Sequence, residues 1–143
     1  MATRSRIAIE LEDGSVESIY CHWDGYPEGN GRVLLDHYTL PEKVQDLINL
    51  GSISSLAPIL ESTGKHSFDN PEPGVVVAYG RDRGEKGVDK IKHKSVSDFF
   101  NGDIEEYGYL FTQEGEWLCK SAYAGYKTPV VIDYILSGEI KLS

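Results

Sequence analysis

Long apolar runs are missing from this chain. No stretch approaches the ~20 apolar residues that a membrane helix needs, and the opening Met-Ala-Thr-Arg-Ser-Arg-Ile-Ala-Ile-Glu carries no apolar core of the kind that marks a secretory signal. A cytoplasmic protein is therefore expected, and a membrane partner is not. Cysteine is scarce as well. Cys21 and Cys119 are the only two, too few for a disulfide framework or a four-ligand zinc site, and no Cys-x-x-Cys occurs. Free thiols in a reducing compartment are the expectation. His66 and His93 stand in polar segments without ligand spacing, so no metal and no cofactor are expected.

Positive charge is in deficit. Lys and Arg total 14 against 23 Asp and Glu, leaving a net charge of -9 that repels nucleic-acid phosphates over most of the surface. Direct binding of nucleic acid is disfavoured. The acids fall singly and in pairs and form no long stripe, so an acidic nucleic-acid mimic is kept only as an alternative. The cations are unevenly spread. Arg81, Arg83, Lys86, Lys90, Lys92 and Lys94 crowd into residues 80–94 against Asp82, Glu85 and Asp89.

What remains is a globular composition in 143 residues, within the range of a single domain. Ile7, Ile9 and Leu11 alternate with polar or small neighbours and run into Glu12-Asp13-Gly14-Ser15, after which Val16, Ile19, Tyr20 and Cys21 resume strand-forming side chains. This predicts a β-hairpin. If Asp13-Gly14 forms a two-residue type I′ turn, Ile7 faces Tyr20, Arg6 faces Cys21 and Arg4 faces Trp23. His22 then ends the apolar face, and Arg4, Arg6 and Trp23 share the other.

Residues 23–31 are rich in turn formers. Val33–Tyr38 reads as a short helix. Thr39-Leu40-Pro41-Glu42 matches a capping box, followed by a helix with the apolar stripe Leu40, Val44, Leu47 and Ile48, which Gly51 ends in a left-handed cap. Residues 57–73 read as a long connection and Val75–Tyr79 as a buried strand. Ser95 caps a short helix carrying Phe99 and Phe100. A second hairpin joins residues 107–111 to 117–119, and Thr128-Pro129 starts a final helix containing Val130 and Val131. The sum is a single α+β domain over residues 1–143: a small antiparallel sheet of about five strands and two hairpins, packed in two layers with three to four helices.

Chemistry concentrates in two segments. His22-Trp23-Asp24-Gly25-Tyr26 leaves a strand for a glycine-rich loop, where aromatic rings can stack on a planar group while His22 and Asp24 supply polar specificity. The ordinary alternative is that Trp and Tyr merely close one end of the core. Tyr79-Gly80-Arg81-Asp82-Arg83-Gly84 offers guanidinium forks suited to phosphate or carboxylate, yet its spacing is not that of a P-loop or a dinucleotide fingerprint, and a solvated basic loop pairing with the acidic surface is the favoured alternative. Cys21 and His22, as strand neighbours, point to opposite faces and cannot form a dyad.

The segments Thr3–Ile9, Ile19–Pro27, Asn30-Gly31, Leu34–Tyr38 and Ile53–Leu56 resemble a group of small uncharacterised proteins carried by tailed bacteriophages and their hosts. Val77–Gly84 and Tyr109-Leu110-Phe111 extend the likeness more loosely. The resemblance brings no activity and no site residues. It implies an accessory role inside an infected bacterial cell, counter-defence being one such role. The expectation is a non-enzymatic protein that binds a nucleotide-like small molecule or a host protein through Arg4, Arg6, His22, Trp23, Asp24, Tyr26, Arg81 and Arg83. The alternatives are a small hydrolase or transferase using His22 and Asp24, and the acidic mimic. Homo-oligomerisation stays open.

Overall fold

A computed structural model describes residues 2–61, 64, 66–122 and 130–132. The chain is mixed α+β. Strands β1 (Ser5–Glu10) and β2 (Val16–Cys21) form the expected hairpin. A single π-helical turn, Pro27–Gly31, leads into α1 (Arg32–His37) and then α2 (Pro41–Asn49). There follow β3 (Ile53–Ser55), β4 (Val77–Ala78), α3 (Tyr79–Arg83), β5 (Ile91–His93), α4 (Val96–Asn101), the hairpin strands β6 (Tyr107–Phe111) and β7 (Trp117–Ser121), and β8 (Val130–Val131).

The sheet is larger than expected and is not purely antiparallel. Its order is β4-β3-β2-β1-β6-β7-β8, with β5 lying beside β2. The two hairpins join through a parallel pairing of β1 with β6, and β2 also meets β3 in parallel at Cys21 and Ile53. Ser5 and Tyr107, and Cys21 and Ile53, are partners from distant parts of the chain that leave no local pattern, so these pairings could not be read from periodicity.

The first hairpin differs in register by one residue. Gly14 donates its N–H to the Leu11 carbonyl at 2.9 Å and Leu11 donates to Ser15 at 2.8 Å, so the loop contains three residues, 12–14. Only Gly14, at φ +86°, takes the left-handed conformation, whereas a type I′ turn would force Asp13 there too. Asp13 instead accepts hydrogen bonds from the Ser15 N–H and Oγ, at 2.9 and 2.6 Å. The result pairs Ser5 with Cys21, Arg6 with Tyr20, Ile7 with Ile19 and Ala8 with Ser18. One residue of slip exchanges the faces.

The main core lies on the face of Ile7, Ile9, Ile19 and Cys21, closed by Leu34 of α1, Val44, Leu47 and Ile48 of α2, and Tyr109, Phe111 and Trp117 of the second hairpin. Each large apolar side chain buried there contributes roughly 1.5–3 kcal/mol. A smaller cluster on the reverse face packs Ala8, Val16 and Leu110 against Phe99, Phe100 and Ile104.

Three further expectations change. The capping box is not formed: Leu40 is the N-cap of α2, no side chain caps it, and Leu40 is exposed instead of joining the stripe. Pro41 at the first helical position sets the helix start by its fixed φ. The strand expected over 75–79 shortens to β4, because Tyr79 begins α3. Val130 and Val131 are not helical but pair with Cys119 and Leu118 as a strand, Ile132 is helical, and the rest of the expected last helix lies outside the described residues. Gly51 does cap α2's end at φ +78°, and a side chain there would press on the Val88 carbonyl. Ser95 does cap α4, accepting the Asp98 N–H at 3.1 Å.

Candidate ligand-binding face

The corrected register assembles a polar row on the reverse face of the sheet. Residues opposed across a hairpin share a face, so Arg6 stands with Tyr20 and, one step on, with Ser18 and His22. The contacts agree. Arg6 Nε donates to Ser18 Oγ at 3.2 Å, and Tyr20 Oη lies 2.7 Å from His22 Nδ1. The His22 ring meets Trp23 edge-to-face, with centroids 4.7 Å apart. Arg4, just before β1 and two residues from Arg6, continues the same alternation; its backbone N–H donates to Glu106 Oε2 at 2.6 Å, and its side-chain Nε lies 3.9 Å from that oxygen. Arg4 and Arg6 therefore stand with Tyr20 and His22, and the expected shared face with Trp23 is not found.

Arg6 is half-buried. Among the described residues only its Nε has a hydrogen-bond partner, so both terminal amino groups of the guanidinium are uncommitted. Burial lowers its pKa, opposed by the nearby Glu105 and Asp103 carboxylates, and an arginine so far above neutrality remains a cation. Charge-assisted hydrogen bonds strengthen as water is excluded, so a partly desolvated fork is a better oxyanion receptor than one in bulk solvent. The Tyr20 phenol keeps its proton, its pKa raised first by burial and then by Tyr79 and Glu105.

The corner that follows is fastened from beneath. Buried Asn30 donates through Nδ2 to the Trp23 carbonyl at 3.0 Å, to Ser5 Oγ at 3.3 Å and to Cys21 Sγ at 3.3 Å. Tyr109 Oη donates to the Gly25 carbonyl at 2.6 Å, and the Gly25 N–H donates to Thr3 at 2.8 Å. A Cβ on Gly25 would stand 2.8 Å from the Thr3 oxygen, which is why glycine occupies it. Asp24, at φ 59°, is one of two non-glycine residues in the left-handed region among those described, the other being Glu105; the short Asp side chain tolerates that conformation. On this fixed backbone Trp23 and Tyr26 remain 44% and 40% exposed, so the rings do not serve mainly as a lid on the core.

Asp24 does not orient His22. Among the described residues its carboxylate accepts only a long 3.4 Å hydrogen bond from Tyr26 Oη, and the hydrogen-bond partner of the His22 side chain is Tyr20. The His22–Asp24 pair required for general-base catalysis is thus not assembled.

Arg81 and Arg83 stand apart from this row. Among the described residues, no hydrogen bond, ion pair or ring contact joins them to residues 22–26. Arg81 binds the Leu60 carbonyl at 2.5 Å, the Val76 carbonyl at 2.6 Å and Asp82 at 2.8 Å. It is a clamp on backbone and carboxylate. Arg83 lies over the Phe68 and Tyr79 rings, 4.5 and 5.1 Å from their centroids, and pairs with Glu85 at 3.0 Å.

Three residues at this face have no signal of their own in the sequence. A two-residue turn puts Ser18 and Tyr20 on the core face, and His93, whose Nε2 lies 2.7 Å from Ser18 Oγ, falls in a segment without motif spacing. Ser15, two residues after Asp13, was the available signal, since that spacing suits an Asp side chain bonding forward into a three-residue loop.

Elsewhere, a hollow of about 430 Å³ between β1 and α2 is lined by Glu10, Glu12, Glu42 and Asp46 beside Ile9 and Leu11. Four carboxylates with no lining cation make it unfit for an oxyanion. No group of three or more His, Cys, Asp and Glu able to hold a metal occurs among the described residues, and no described helix is long and apolar enough to cross a membrane. Comparison with protein-family models, with curated proteins and with solved structures finds no match to this chain.

Proposed function

We propose that this chain is a non-enzymatic binding protein that takes a nucleotide-like ligand on the row Arg4, Arg6, Tyr20 and His22, beside the exposed Trp23 ring. The half-buried Arg6 fork, with both terminal amino groups uncommitted, is the observation that carries this reading. Phosphate or carboxylate oxygens engage Arg6 and Arg4, a planar ring stacks on exposed Trp23 or Tyr26, and Asp24 accepts from a sugar hydroxyl. Arg81 and Arg83 are left out of the contact surface because their guanidinium groups are engaged elsewhere. An accessory role in an infected bacterial cell, as the sequence resemblance implies, is compatible with such a binder. Calorimetry with a panel of cyclic and ADP-ribose-type nucleotides tests it: saturable heats support the ligand reading, and their uniform absence at millimolar concentration removes it for that panel.

A second reading rests on Trp23 and Tyr26, large rings held outward on a fixed corner. Such residues dominate protein interfaces. Here the occupant is a host protein, and a pull-down that fails with Trp23→Ala but succeeds with wild type supports it.

A further inference from the structure

We infer that Ser18 and His93 position the Arg6 guanidinium, so that the oxyanion receptor is a three-residue relay built from β1, β2 and β5. The inference rests on the reading of Arg6 as the ligand-binding fork. Ser18 is fully buried, and its Oγ lies 3.2 Å from Arg6 Nε and 2.7 Å from His93 Nε2. A hydroxyl has one hydrogen and two lone pairs. Arg6 Nε–H can only donate, so Ser18 Oγ accepts from it, and because the buried hydroxyl has no other acceptor among the described residues, its own hydrogen is assigned to His93 Nε2. That direction requires a neutral His93 with its hydrogen on Nδ1. The surroundings favour this form, since burial and then the Arg6 charge lower the His93 pKa, with Asp98 opposing.

The backbone holds the relay in place. Ser18 pairs with Ala8 on β1 and with Ile91 on β5, while His93 pairs with Val16. The Phe99 ring of α4 meets the His93 imidazole at 5.2 Å and 73°, fixing its plane. Tethered at Nε, the Arg6 fork loses rotational freedom before a ligand arrives, and both terminal amino groups stay available. A receptor ordered in advance binds more tightly because less entropy is lost on association. His93 touches no ligand in this scheme and acts through Ser18.

Three variants separate this role from simple packing. Ser18→Ala removes the relay. His93→Phe keeps a ring against Phe99 but removes the acceptor, and His93→Gln restores an acceptor without the ring. Two readouts are taken on each: hydrogen exchange of the Arg6 Nε–H by NMR, and affinity for inorganic pyrophosphate by calorimetry. Exchange of the β2 and β5 amides checks the fold, and Ser18→Cys replaces Ser18→Ala if the latter does not fold. The expected result is a protected Nε–H and near wild-type affinity in His93→Gln, with lost protection and about tenfold weaker binding in Ser18→Ala and His93→Phe. Wild-type behaviour of His93→Phe in both readouts overturns the inference. If wild type binds no pyrophosphate while the exchange pattern holds, the ligand reading fails and the positioning role stands.

Discussion

Arg6 faces Tyr20 across the first hairpin. This pairing decides which side chains share a surface. A two-residue turn would have set Arg6 opposite Cys21, whereas the three-residue loop leaves Arg6 on the face of β1 opposite Ile7 and Ile9 and turns β2 over, so that Tyr20, Ser18 and His22 join it there. The composition of this row is thus a consequence of one extra loop residue.

Asn30 should be the most sensitive polar residue of the corner. It is 2% exposed, and its two amide hydrogens are shared among three acceptors, Ser5 Oγ at the start of β1 and Cys21 Sγ and the Trp23 carbonyl at the end of β2. Asn30→Leu leaves the Trp23 carbonyl and Ser5 hydroxyl without this donor, and a buried group so stranded costs about 1–3 kcal/mol. Denaturant unfolding should register that loss, and near-ultraviolet circular dichroism should show Trp23 released. An unchanged midpoint would mean that the corner is fixed by other contacts.

Capping separates the two helix starts. Ser95→Ala removes the side chain that holds the Asp98 N–H and should cost about 1 kcal/mol. Thr39→Ala should stay within about 0.5 kcal/mol of wild type, as substitutions away from specific structural features do, because Thr39 does not cap α2. Chemical denaturation of both variants reads the difference, and an equal loss would restore the capping box.

Acid stability should report on Asp82. Burial pushes its carboxyl up, but hydrogen bonds from Arg81, the Ala78 N–H and His66 outweigh this and hold the pKa below its ordinary 3.8. The folded form therefore favours the carboxylate. Its contribution is fully present above the unfolded value near 3.8 and is lost as pH falls through the lower folded value. Asp82→Asn should destabilise the protein at neutral pH and flatten the fall in stability below pH 4. A wild-type acid limb in the variant would assign that limb to other carboxylates, with Glu17 the next candidate: its pKa is likewise held down, burial being outweighed by hydrogen bonds from Lys90 and Gln45.

The sequence made the two hairpins, the α2 stripe and the Ser95 cap legible because each is written in neighbouring residues. Ser95 lies three residues from the N–H it binds, and Val44, Leu47 and Ile48 repeat at helical spacing. What it hid was set by long-range contacts or by a choice between near-equal local options. Glu12-Asp13-Gly14-Ser15 suits both a two-residue and a three-residue loop, and the apolar fit of Ile7 with Ile19 and of Ala8 with Val16 and Phe99 settles the choice only in the folded chain. Arg81 looked like an anion fork because its composition is right. The Val76 and Leu60 carbonyls that occupy it are five and twenty-one residues away. Ile53–Ser55 and Val77–Ala78 are too short to show a period of two, and Pro41 overrode the Thr39 cap.

Arg6→Lys, titrated with nucleotide ligand beside wild type, addresses the central claim most directly. Lysine keeps the charge and much of the stem but cannot present two parallel N–H donors. With charge-assisted hydrogen bonds worth roughly 1.5–3 kcal/mol, a loss of affinity of about tenfold or more is predicted in Arg6→Lys with the fold retained, while Arg83→Lys binds as wild type does. Equal affinity of Arg6→Lys and wild type, or a larger loss at Arg83, would contradict it.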